Sequence, residues 1–306
     1  MAADGSGDAS SLSQALEDVD NGGHIRLSPG LYEGGVDIDT DVTISGAEDG
    51  SSVVLALGGL PGISVHDARL TLQYVSLRSD DDNDAPAPAG IRISGGSATI
   101  DGCSISDVRV GILIQDGAHA DVTDCSIEEA TESAIKVVGE DTDAVIRMNR
   151  ITHSEVGLAI ATGASARVED NRISGGKWGL RAEGGAIPTV ENNTITDVEK
   201  TAVFVSGPDS AATIRSNVIS RNGWGIEIAE GAAAVIEGNT VADQANTGIW
   251  IGGIGGEVKV RDNEITGNEW GVYAVDGAAP LVEGNTISGQ AKTGVAVEEA
   301  GTAPVV

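Results

Sequence analysis

Counted every 23 residues, the chain places Arg181, Phe204, Glu227, Trp250 and Tyr273 in one series. Flat rings beside a guanidinium and a carboxylate suit stacking on the faces of sugars, or seating a protein partner. Long side chains in such a series would equally serve to shield a sheet face and to pair between neighbouring strands, and both readings stand at this point. As a hydrolytic site the series is poor. Glycoside hydrolysis uses two facing carboxyl groups, Glu227 is the one acid in the series, and the nearest other, Glu183, belongs two repeats earlier.

Other residues with chemical potential are fewer. Asp80, Asp82 and Asp84 have the spacing of the first ligands of a calcium loop, yet positions six and twelve are Ala85 and Ile91 instead of Gly and Glu. A solvated acidic loop is the alternative, and no cofactor other than this calcium is indicated. Cys103 and Cys125 lie 22 residues apart. If they stack on successive turns, parallel side-chain vectors hold the Cβ atoms too far apart for a good disulfide, so buried reduced thiols are expected. His24, His66, His119 and His153 are scattered and form no metal set.

The elements that must position these residues come from a repeat. Residues 97–118 (SATIDGCSISDVRVGILIQDGA), 165–186 (SARVEDNRISGGKWGLRAEGGA) and 211–232 (AATIRSNVISRNGWGIEIAEGA) follow one template that ends in Gly-Ile-x-Ile and a Gly-Ala turn. One polar position recurs as Cys103, Cys125, Asn149, Asn171, Asn193, Asn217, Asn239, Asn263 and Asn285, in steps of 22 or 24. Each period holds three short runs of alternating apolar character and no helical period, which predicts three strands per turn. Strands that recur every turn pair with their equivalents one turn away, as parallel sheets about 4.8 Å per step. Stacked inward amides would form an asparagine ladder, and Asn tolerates the left-handed backbone of a tight corner.

In Gly-Ile-x-Ile the two Ile positions point inward and x points outward, which puts the opening series on one outer face. A second outer line reads Arg147, Glu169, Glu191, Arg215, Glu237, Arg261 and Glu283, opposite in sign at most steps, as expected of a solvated structural face. A longer period overlies the first. Trp178, Trp224 and Trp270 are 46 residues apart, with Thr201, Thr247 and Thr293 in the intervening turns, and the plainer reading is that each indole covers a shorter loop. Upstream, Gly35-Val36-Asp37-Ile38, Gly62-Ile63-Ser64-Val65 and Gly90-Ile91-Arg92-Ile93 extend the count to roughly twelve turns. Ser10 to Val19 reads as a short amphipathic helix, with Leu12, Ala15, Leu16 and Val19 on one face, that caps the first turn.

The expected organisation is therefore an N-terminal segment with the capping helix over 1–23, a single-stranded parallel β-helix over 24–300, and a tail over 301–306. The last turn has no visible cap, and an open edge there predicts a further domain or an end-to-end dimer. The balance of 18 basic and 47 acidic residues, net charge −29, excludes nucleic acid as a partner, because that needs a basic footprint. Such acidity suits high salt, or simply reflects a preference for Asp and Glu on solvated faces. No apolar run is long enough for membrane insertion. The start lacks the pattern of a signal peptide, so the chain reads as cytoplasmic or as a mature or excised extracellular domain.

The Asn-Thr-Ile-Ser-Gly and Gly-Ile-x-Ile repeats resemble the right-handed parallel β-helix of the pectin-lyase-like superfamily. Ala3-Asp4-Gly5-Ser6-Gly7-Asp8, Gln14-Ala15-Leu16 and Leu27-Ser28-Pro29-Gly30-Leu31-Tyr32-Glu33 resemble the N-terminal region of its pectinesterase-like members. The resemblance implies a substrate cleft along the sheet that carries Gly-Ile-x-Ile. It leaves activity open, since the superfamily holds lyases, hydrolases, esterases, epimerases and non-catalytic modules. No Gly-His-Gly, Asp-Pro-His, Arg-x-Pro, Gly-Arg-Pro-Trp or Asp-Phe-Ile-Phe-Gly stretch of its catalytic members occurs. The expectation is a non-catalytic module that binds a polysaccharide or a protein along the aromatic series. The alternatives are a polysaccharide lyase, hydrolase or esterase in the same cleft, or a structural spacer.

Overall fold

A computed structural model of the chain describes residues 9–56, 59–79, 86–298, 302, 304 and 305. Among them the fold is an all-β parallel solenoid of about twelve turns, with three sheets and one short helix. Two compact units, Met1–Glu155 and Val156–Val306, divide it. Asp80, Asp82 and Asp84 lie outside the described residues.

In the first unit the helix Leu12–Asp18 is capped by Ser11, whose hydroxyl accepts a 3.1 Å hydrogen bond from the Gln14 backbone N–H. Leu12 and Ala15 are its buried residues. Strands Val36–Ile38, Ile63–His66 and Ile91–Ser94 pair in parallel, with Val36, Ile63 and Ile91 in one register. Cys103 and Cys125 are buried free thiols. The neighbouring Cys103 side chain, and then burial, raise the Cys125 thiol above its ordinary value.

In the second unit one turn consists of a six-residue strand, Trp224–Ala229, a five-residue strand, Ala233–Glu237, and a three-residue strand, Thr240–Ala242. The sheets built from these three kinds of strand are called C, A and B. Like residues stack upon like, so Val203, Ile226, Ile249 and Val272, all fully buried, form one inward column. Each such side chain contributes about 1.5–3 kcal/mol of burial free energy. In most turns of sheet C a glycine precedes the first inward aliphatic, with Ala202 in its place before Val203. A Cβ on Gly225 would meet the Gly248 carbonyl oxygen at 2.3 Å, so the turns approach too closely there for a side chain. Gly225 and Ile226 are both buried, which sets the outward residues Trp224 and Glu227 three positions apart instead of two.

The inward amides hydrogen-bond from turn to turn. Asn171, Asn193, Asn217, Asn239 and Asn263 each donate Nδ2 to the Oδ1 of the next amide at 2.9–3.1 Å. The left-handed residue of the corner is the one before the Asn, not the Asn itself: Asp170, Asn192, Ser216 and Asp262 have φ of 55–57°. The Asn is thus chosen for its inward amide and its neighbour for the bend. A second stack runs at the next corner. The Oδ1 of Asn222 accepts from the Val198 N–H, and Asn222, Gln244 and Asn268 then donate their backbone N–H groups to the Gln244, Asn268 and Gln290 side chains at 2.9 Å. The Arg–Glu line lies on sheet A, where Arg261 reaches Glu237 at 3.1 Å. At the far end Val305 bridges Leu281, donating to the Pro280 carbonyl at 3.0 Å.

Candidate functional site

The five residues of the 23-residue series fall in one register on the outer face of sheet C. Arg181 pairs with Phe204, Phe204 with Glu227, Glu227 with Trp250, and Trp250 with Tyr273. All five are half-buried. The three indoles of the 46-residue period join them. Trp178, Trp224 and Trp270 begin their strands, and Trp224 and Trp270 stand in register with Thr201 and Thr247. They lie on the sheet face itself and do not merely cover a loop. The double inward step at Gly and Ile puts them beside the x position. The face therefore carries all 4 tryptophans, the single Phe and 1 of the 3 tyrosines.

Turns alternate in what they present. In one turn Trp takes the first outward position and a polar residue (Arg181 or Glu227) the second. In the next turn a buried Thr takes the first and a ring (Phe204 or Trp250) the second. Rings in adjacent turns consequently meet diagonally. Trp178 and Phe204 centroids are 5.2 Å apart and tilted, and Trp224 and Trp250 are 6.3 Å apart in a T-shape. After Tyr273 the next residue in register is Ala296, so Trp270 stacks on Tyr273 of its own strand at 5.1 Å. Such pairs are worth about 0.5–1.5 kcal/mol beyond burial. Trp250 is seated by Gly252, since a Cβ there would meet its indole Cη2 at 2.2 Å.

Cations flank the two ends of the face. The Arg181 guanidinium lies 4.9 Å from the Trp178 ring and 5.7 Å from the Phe204 ring, and is held by Glu183 at 2.7 Å. Lys200 Nζ is 5.3 Å from Trp178, and Lys292, paired with Glu269, is 4.8 Å from Trp270. Such placements attract a cation to the ring quadrupole. The centre differs. Glu227 sits between Phe204 and Trp250 and accepts a 2.9 Å hydrogen bond from the Thr201 hydroxyl. Burial pushes its carboxyl above the usual glutamate value, opposed by that hydrogen bond. This arrangement offers flat apolar platforms with one hydrogen-bonding group beside each. Among the described residues of the second unit, Glu227 has no second carboxyl in its row. Among the described residues, no group of three or more His, Cys, Asp or Glu is placed to hold a metal ion, and no helix is long and apolar enough to cross a membrane.

Solved structures share this fold across most of the chain. The A-module of a mannuronan C-5 epimerase from Azotobacter vinelandii superposes with a TM-score of 0.70 at 16% identity, over 93% of this chain and 91% of that one. A periplasmic alginate epimerase gives 0.63 at 12% identity, over 94% and 84%. The catalytic unit of an α-1,3-glucanase from Streptomyces thermodiastaticus gives 0.59 at 17% identity, over 91% of this chain and 65% of that one. No curated protein matches the sequence. The family model for a right handed beta helix region matches residues 89–223 and 206–306, well over half of the chain. With its stacked turns, three parallel sheets and inward amides, the chain belongs to the right-handed β-helix family, and its fold is pectin-lyase-like.

Proposed function

We propose that this chain is a non-catalytic β-helix module that binds a polysaccharide along the outer face of sheet C in its second unit. One observation carries the reading. In a protein with 3% aromatic residues, every tryptophan stands half-exposed on a single face. Half-exposed indoles in rows are costly in water unless something covers them, and a sugar face has the flatness and the C–H groups to do so. Among the solved structures of similar fold are an epimerase of mannuronan, one of alginate and a glucanase, and also the complex of Vag8 with C1 inhibitor, so the choice of a polysaccharide over a protein rests on the aromatic face and not on the fold.

The test is affinity electrophoresis through gels that contain polysaccharides, comparing the wild-type chain with a Trp250→Ala, Tyr273→Ala variant. Retardation that disappears in the variant supports the reading. Retardation unchanged in the variant removes this face as the site. One observation favours an enzyme instead: the half-buried Glu227, whose raised pKa suits an acid. An Arg181→Ala, Glu227→Gln variant tests that. Any polysaccharide-cleaving turnover of the wild type that survives in it places the chemistry elsewhere.

A further inference from the structure

The alternation of turns says more about the ligand than the presence of rings does. Trp178, Phe204 and Arg181 form one set, Trp224, Trp250 and Glu227 the next, and Trp270 with Tyr273 a third, each 46 residues on from the last. Between the indoles lie the buried Thr201 and Thr247, so the face alternates between a rib and a floor. Two turns rise by about 9.6 Å at the strand spacing of a parallel sheet. Two pyranose units of an extended 1,4-linked chain advance by about the same length. In a chain of twofold symmetry, neighbouring sugars turn opposite faces to one side, and only every second sugar presents the same face. A platform repeated every second turn therefore meets an identical sugar face each time.

Charge narrows the class further. The chain carries a net −29, and the middle set holds a carboxyl whose pKa is raised by burial, with only the Thr201 hydroxyl opposing it. Arg181, Lys200 and Lys292 lie only at the two ends of the face, where Glu183 and Glu269 already pair with Arg181 and Lys292, so a polyanion laid along the whole face would bring its carboxylates against Glu227 and into a repulsive field. We infer that the face is a row of three subsites for an extended, neutral β-1,4-linked glycan, each subsite taking two sugars; this rests on the polysaccharide-binding reading above. The chain lies along the solenoid axis, with an aromatic platform under every second sugar. Arg181, Glu227 and the Tyr273 hydroxyl in turn face the hydroxyl groups beside it.

Because all 4 tryptophans lie on this face, intrinsic tryptophan emission reports its occupancy directly. The experiment titrates the full chain with cello- and manno-oligosaccharides of two to six sugars, with maltohexaose and an oligomannuronate of six sugars as controls. Affinity is expected to rise by about threefold to tenfold from two to four sugars and again from four to six, the increment of one added stacked ring. Odd members should fall close to the even member below them. Trp224→Ala should weaken the hexasaccharide by a similar factor and the disaccharide by less, because the disaccharide keeps the other two subsites. A uniform increment for every sugar overturns the two-sugar register. Equal binding of maltohexaose overturns the extended geometry, and preference for the oligomannuronate overturns the neutral class. In each of those three cases, binding that still depends on Trp250 and Tyr273 leaves the polysaccharide-binding face standing.

Discussion

Replacing Asn217 with Ala tests whether the inward amides pin the turns together or merely fill a corner. The Asn217 Oδ1 accepts from the Asn193 N–H at 2.8 Å and from Asn193 Nδ2 at 3.1 Å. Its Nδ2 donates to the Val190 and Arg215 carbonyls at 2.9 Å and to Asn239 Oδ1 at 3.0 Å. Most of these partners keep another bond. Asn193 Nδ2 still reaches Val168 and Glu191, and Asn239 Oδ1 still accepts from the backbone N–H of residue 217. The Asn193 backbone N–H keeps none of those bonds. An orphaned buried donor costs about 1–3 kcal/mol, and two weakened carbonyls about 0.5–1 kcal/mol each, so Asn217→Ala should cost about 3 kcal/mol. Asn285 makes the same kinds of bond, to Val260, Glu283 and Asn263, but in part-exposed surroundings where water can take over. Asn285→Ala should cost about 1 kcal/mol. Urea unfolding followed by circular dichroism measures both. Equal costs for the two variants, or a cost below 1 kcal/mol for Asn217→Ala, would refute the reasoning.

Two further outcomes follow from the aromatic face. Gly252→Ala sets a Cβ 2.2 Å from the Trp250 ring at a position with ordinary strand backbone, so the indole must move by more than about 1 Å to restore van der Waals contact. A shifted tryptophan emission spectrum and weaker glycan binding, at nearly unchanged stability, are expected; unaltered emission would mean that the glycine does not seat the indole. Glu227 has a raised pKa and faces Thr201 and Phe204 on one neighbouring strand and Trp250 on the other. Between the unfolded value of about 4.3 and the folded value, the native chain binds more protons than the unfolded chain, so stability falls as pH rises through that window. Glu227→Gln should therefore be more stable than wild type at pH 7, with the gap closing towards pH 4. Thermal melts that show a gap independent of pH would disprove this.

The turns were legible because their cause is local and repeated: each Asn of the series from Asn149 to Asn285 must sit inward at the same corner, so spacing alone reveals it. Which residue bends the corner was not legible. Asp, Ser, Asn and Gly all serve at that position, as at Asp170, Ser216, Asn192 and Gly238, and the mixture hides the pattern. The second stack of Asn222, Gln244, Asn268 and Gln290 was missed for a related reason. It keeps the spacing of the first ladder, five residues after Asn217, Asn239, Asn263 and Asn285, but its residue type alternates between Asn and Gln, which hides the match. The outward row of Arg181, Phe204, Glu227, Trp250 and Tyr273 was readable from alternation. The place of Trp178, Trp224 and Trp270 beside it was not, because alternation by twos fails where Gly225 and Ile226 both turn inward. The signal was present in the 46-residue period, combined with the absence of a second-row ring wherever Trp178 or Trp224 occupied the first.

The alternation also sets the increment by which such a protein can lengthen. Copying a single turn would put Trp beside Trp in direct register, crowd the rib and leave Arg or Glu next to its own kind. Copying two turns restores every diagonal ring contact and keeps Asn and Gln in step with their loops. The solenoid thus has a parity. Additions or losses of even numbers of turns preserve the face, and odd ones scramble it while leaving the aliphatic interior intact.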